Sequence, residues 1–157
     1  MPGEALLIGI ATIAVVVAGF AAIAPGLGSD RAGWTVGQRF RLRGIVSTSF
    51  NVTFESLLPA VSFPALGDAR TTIVLSSAIV FPYALFIISF RLRQLIRSGV
   101  PWVPWTRFVV ASGFTATTLF GLNALVFASV TVYALALCIQ LSVAAISFYS
   151  LAAAAAD

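Results

Sequence analysis

The chain has 157 residues, about 60% of them hydrophobic and only 9% charged, where a soluble domain carries about a quarter charged residues. So few charges cannot clothe a water-soluble surface, whereas a bilayer core is as apolar as the side chains that face it. The nine basic residues are all arginine and give a net charge of +4, and their clustering at the edges of apolar runs reads as an orientation signal rather than as a nucleic-acid surface.

A helix needs about 20 apolar residues to cross the hydrocarbon layer. The first such run is Ala5 to Ala24, closed by Pro25-Gly26-Leu27-Gly28. It is expected to be a retained helix rather than a signal peptide: Met1-Pro2-Gly3-Glu4 is acidic, and Pro25 obstructs cleavage after Ala22-x-Ala24. A polar loop follows with Asp30, Arg31, Trp34, Arg39, Arg41 and Arg43. The second span is expected near Gly44 to Ala65, with Glu55 at its middle, and a tight turn at Asp68–Arg70 leads to the third, Thr71 to about Phe90. Arg91, Arg93 and Arg97 continue that helix into the interface, where their stems can snorkel, until Ser98-Gly99, Pro101 and Pro104 stop it. From Phe108 to Ala156 there are 49 residues without a charge. One helix of that length would be roughly 70 Å long, at 1.5 Å per residue, so the chain must fold back, with the turn expected around Asn123.

The fold class expected is therefore an all-α polytopic transmembrane bundle. It forms one domain over residues 1–157, with spans near 5–24, 44–65, 71–93, 106–122 and 130–152. A four-span alternative would lay part of the uncharged stretch in the interface. Alternate loops are arginine-rich, which by the positive-inside rule puts the N-terminus outside and the basic loops in the cytoplasm. Trp34, Trp102 and Trp105 fall in those loops, as residues of the headgroup layer do. Phe40-Arg41-Leu42-Arg43 recurs as Phe90-Arg91-Leu92-Arg93, once before a span and once after one, as two similar cytoplasmic boundaries would. Arg39, Arg41, Arg43, Arg91, Arg93 and Arg97 are the expected cytoplasmic interface residues.

Glu55 is the principal candidate for chemistry. Burying an ionised acid at mid-membrane costs on the order of 2.5–3.5 kcal/mol on insertion scales, and desolvation favours its neutral form. Thr48, Asn51 and Glu55 share one helical face at i, i+3 and i+7, with Ser49, Thr53 and Ser56 beside them. Pro59 lacks the N–H that would bond the Glu55 carbonyl and pushes that carbonyl away, so a kink and a free oxygen are expected at the level of the acid. Pro82 repeats the device in the third span at Ala78. A carboxyl, an amide and freed carbonyls together resemble a cation or proton site, with Glu55, Asn51, Thr48 and Gln140 as its members. The structural alternative is a protonated Glu55 hydrogen-bonded to Asn51, Asn123, Gln140 or a serine, joining helices at about 1–2 kcal/mol. Small-residue ladders Ala14–Ala18–Ala22 and Ala136–Gln140–Ala144 point to close helix packing.

Absences narrow the function further. Without lysine there is no retinal or pyridoxal Schiff base, and without histidine no His-ligated haem, HExxH zinc site or Ser-His-Asp triad. A single cysteine, Cys138, forms no intrachain disulfide. No phosphate-binding glycine motif occurs, and Glu55 has no second intramembrane acid with which to form an aspartyl-type pair. No enzyme activity, cofactor or metal is expected. The leading expectation is an oligomeric ion or proton channel or small transport component using Glu55; the alternative is a non-catalytic scaffold or accessory subunit of a larger membrane complex. The partners expected are the lipid bilayer and either further copies of the chain or another membrane protein, not nucleic acid.

Ala18-Gly19-Phe20, Arg41-Leu42-Arg43, Ser56-Leu57-Leu58-Pro59 and Leu122-Asn123-Ala124 resemble the corresponding stretches of a loosely defined group of small, functionally uncharacterised bacterial multi-span inner-membrane proteins. The resemblance spans most of the length. It implies a bacterial inner membrane and carries no activity.

Overall fold

The computed structural model describes residues 1–27, 35–97 and 103–153. Arg31, Trp34 and Trp102 of the two basic loops lie outside the described residues. Five α-helices follow one another: α1 Glu4–Leu27, α2 Val36–Leu66, α3 Ala69–Arg97, α4 Pro104–Leu122 and α5 Val130–Ala153, with a π-helical turn, Asn123–Phe127, after α4. Among the described residues, four stretches are long and apolar enough to cross a membrane: Glu4–Ile23, Ala69–Arg97, Pro104–Phe127 and Val130–Leu151. The helix outside that set is α2. The uncharged stretch does fold back into two apolar helices, so the shortfall in apolarity falls on the helix that carries Glu55.

Local chemistry sets the helix limits. Helix α1 runs through Pro25 to Leu27 rather than stopping before it. Helix α2 begins at Val36, well before residue 44, because Thr35 and Gln38 form a reciprocal capping box that satisfies two orphan N–H groups. Arg39, Arg41 and Arg43 therefore stand on a helix instead of in a loop. At the other end Gly67, with φ 69°, closes α2, in the left-handed region that glycine enters at little cost. Only Gly67 and Asp68 separate α2 from α3. Asp68 accepts from the Thr71 backbone N–H at 2.7 Å, and the hydrogen bonds from Thr71 hold its exposed carboxyl below the usual carboxylate range.

The contacts fix the directions of the helices. Tyr83 meets Asn51, and Arg91 meets Thr48 and Gly44, so α2 and α3 are antiparallel. Gly113 lies against Ile88 and Gly121 against Phe81, so α3 and α4 are antiparallel too. Gly3 lies against Val130 and Phe20 against Phe148, so α1 and α5 run parallel. Helix α2 packs most closely on α1 and α5. Its buried row Ile45, Ser49, Val52, Ser56 and Pro59 faces inward, as does the α1 row Leu7, Ala11, Ala14, Ala18 and Ala21. The α1 ladder thus continues through Ala21; Ala22 is exposed, because a row of i+4 steps alone drifts around the helix and a 3–4 alternation keeps to one face. Ala136 and Ala144 of α5 are buried as expected, with Gln140 half-buried between them.

The outer surface of the bundle is unlike that of a soluble protein. Ser49, Glu55, Ser56, Thr72, Ser77 and Asn123 are buried, while the outer surface carries large apolar side chains such as Leu125, 85% exposed, and Val61, 74% exposed. Several other hydroxyls bond the carbonyl four residues back, as Thr53 does to Ser49 and Thr117 to Gly113, which satisfies them within their own helix. The described arginines divide unevenly. Arg39, Arg41 and Arg43 near the start of α2, Arg91, Arg93 and Arg97 near the end of α3 and Arg107 near the start of α4 all lie at one end of the bundle. Glu4, Asp68 and Arg70 lie at the other.

Candidate functional site

Glu55 lies in the middle of α2 and is 1% exposed. Its carboxyl oxygen Oε2 accepts from Gln140 Nε2 of α5 at 2.9 Å. Its backbone oxygen, deprived of a helical partner by Pro59, accepts from the hydroxyl of Tyr133 at 2.6 Å. The free carbonyl expected from the sequence is therefore occupied. Tyr133 is itself fully buried and meets Phe120 edge to face, with ring centroids 5.1 Å apart. One residue of α2 is thus gripped twice by α5, through side chain and main chain, seven positions apart on the same face of the gripping helix.

The rest of the polar face closes pairwise, against α3. Asn51 Oδ1 accepts from the Tyr83 hydroxyl at 2.8 Å. Thr48 Oγ1 accepts from Arg91 Nη1 at 2.8 Å, and the Gly44 carbonyl accepts from Nη2 of the same guanidinium at 3.4 Å. Arg91 therefore reaches down the helix toward the polar strip but stops at Thr48, about 10 Å along the axis from Glu55 at 1.5 Å per residue. Of the four candidate site residues, Glu55 and Gln140 come together. Thr48 and Asn51 have separate partners on another helix, and the four do not converge on one point.

The two predicted kink prolines differ in setting. Pro59 is buried, and the Glu55 carbonyl that it frees accepts from Tyr133 of α5. Pro82 and Ala78 are both exposed on the outside of α3, away from Glu55, because the buried side of α3 is the row Ile73, Ser76, Ser77, Val80 and Ala84. Neither proline interrupts its helix. Asn123, expected to mark the fold-back, is fully buried. Its Nδ2 donates to Ser77 Oγ at 2.9 Å and its Oδ1 accepts from the Ser129 backbone N–H at 2.9 Å. It ties the turn to α3 rather than joining Glu55. Three buried hydroxyls, those of Ser49, Ser56 and Ser76, have no hydrogen-bond partner among the described residues.

Sequence reasoning did not single out Tyr83 and Tyr133. A signal for Tyr133 existed in the seven-residue spacing to Gln140, which sets both on one face. Tyr83 had only its place beside Pro82. Of the six arginines expected at a cytoplasmic interface, Arg39, Arg43, Arg93 and Arg97 are exposed, Arg41 is half-buried and Arg91 is turned inward. Comparison with protein-family models, with curated proteins and with solved structures finds no match.

Proposed function

We propose that this chain is a non-catalytic integral membrane protein, a scaffold or accessory subunit, in which Glu55 ties the least apolar helix into the bundle. The observation that carries this reading is the closure of Glu55 by groups of its own chain. Gln140 holds the carboxyl, Tyr133 holds the carbonyl, and the residue is 1% exposed. A carboxyl group that serves conduction needs a wet path or a subunit axis; one that joins helices needs a donor on the next helix, and Glu55 has one. In this reading α2 is a fifth crossing, lying antiparallel to α3 and packed on α1 and α5. The positive-inside rule then sets the arginine end in the cytoplasm and the N-terminus outside. The small-residue rows are used within the bundle, and the basic end is the surface offered to further copies or to another membrane protein, in a bacterial inner membrane.

A transport role is the second reading, and the unpartnered hydroxyls of Ser49 and Ser56, both on α2 with Glu55, are what favour it. Buried polar atoms normally find partners, and those that do not call for an explanation such as water or an ion. Proton flux and cation flux into liposomes separate the two. The scaffold reading expects wild type and Glu55→Gln each to leave flux at the protein-free level. Flux through wild type that Glu55→Gln abolishes would establish the transport role instead.

A further inference from the structure

The first half of α2 carries an open groove of about 480 Å³ lined by Leu42, Arg43, Val46, Ser47, Phe50 and Asn51. Residues four apart stack along one helix face, so the lining resolves into two parallel rows. Leu42, Val46 and Phe50 form an apolar row. Arg43, Ser47 and Asn51 form a polar one, with its charge at the arginine end and its amide about 12 Å deeper at 1.5 Å per residue.

The polar row consists of donors without acceptors. Arg43 is exposed and has no ion pair among the described residues. The Ser47 hydroxyl has no acceptor among them, and Asn51 commits its Oδ1 to Tyr83, which leaves its amide nitrogen free to donate. The same end of the bundle is short of described carboxylates. None of its seven described arginines has a described carboxylate beside it, because Glu4 and Asp68 lie at the opposite end and Glu55 is paired with Gln140. An anion that also has an apolar body complements both rows.

We propose that this groove binds one anionic phospholipid from the leaflet at the arginine end. Its phosphate pairs with Arg43, an ester carbonyl accepts from Ser47 one turn deeper, and one acyl chain lies along Leu42, Val46 and Phe50. Basic sites on the cytoplasmic side of helical membrane proteins recognise such headgroups. A zwitterionic lipid offers the same phosphate but brings an ammonium group into an array of arginines. The inference rests on the arginine end being a membrane edge and not on the role assigned to Glu55, so the flux experiment leaves it untouched.

The test is native mass spectrometry of the full chain in micelles holding equal phosphatidylglycerol and phosphatidylcholine. Wild type is expected to retain one phosphatidylglycerol. Arg43→Gln, at an exposed position, is expected to weaken that retention about tenfold, as loss of one charge-assisted hydrogen bond does. Ser47→Phe fills the groove while keeping every arginine and is expected to lose the lipid as well. Arg39→Gln removes a charge from the same end outside the groove and is expected to keep it. Helical circular dichroism checks that each variant is folded, and Arg43→Gln carries the test alone if Ser47→Phe is not. Four results would each overturn the proposal: equal retention of the two lipids, unchanged retention in Arg43→Gln, a loss in Arg39→Gln as large as in Arg43→Gln, or displacement of the lipid by millimolar inorganic phosphate.

Discussion

Glu55 is held by α5 at two atoms, and the two grips have different origins. The carboxyl is paired because an acid at membrane depth needs a donor. The carbonyl is paired because Pro59 cannot supply one. The second grip makes a prediction that does not depend on any transport role. Tyr133→Phe leaves the Glu55 carbonyl buried without a partner, at a cost of about 1–3 kcal/mol. In a Pro59→Ala background residue 59 regains its N–H, and the cost of Tyr133→Phe is expected to fall by at least half. Denaturant unfolding of the four proteins in detergent reads this directly, and an equal cost in both backgrounds would refute the link. Glu55, Pro59 and the freed carbonyl were legible in the sequence because all three follow from local spacing. Tyr133 was not, since it lies 78 positions away and helical periodicity says which face is polar without saying which helix will meet it.

At the scale of elements, the fold-back was legible and its geometry was not. A stretch of 49 uncharged residues cannot be one crossing, and Gly121, Asn123 and Ser129 mark a turn within it. The π-helical turn that follows Asn123 ends at Ala128, which adopts φ 48° and ψ 43°, a left-handed conformation that costs a residue with a Cβ roughly 1–2 kcal/mol. Ala128→Gly should therefore raise thermal stability in detergent, by roughly 1 kcal/mol once glycine's own entropic cost is subtracted. A lowered midpoint would mean that the turn is not built as described. The start of α2 was misplaced for a comparable reason. Charge patterning marks where apolar residues begin, whereas the helix begins where Thr35 and Gln38 cap it, eight residues earlier than the apolar boundary at Gly44. Capping is a local hydrogen-bond pattern that hydropathy does not weigh.

For the whole molecule, large apolar side chains cover the outside while Glu55, Asn123 and several hydroxyls are buried within a largely apolar core, which a bilayer rewards and water does not. Seven of the eight described arginines gather at one end, which the proposed topology sets in the cytoplasm. With Cys138 replaced by serine, a cysteine introduced at Arg70 should react with an impermeant maleimide on intact cells, and one at Thr35 only after permeabilisation; the reverse pattern would invert the topology. The central claim is that α2, the helix least suited to lipid, is kept in the bundle by its polar ties, of which Glu55–Gln140 is the deepest. A double-mutant cycle of unfolding free energies on Glu55→Leu and Gln140→Leu tests it most directly. Each single change strands one buried polar partner and should cost about 1–2 kcal/mol. The double variant strands neither and should cost less than the two together. Strictly additive costs would contradict the tie and leave Glu55 without the role assigned to it.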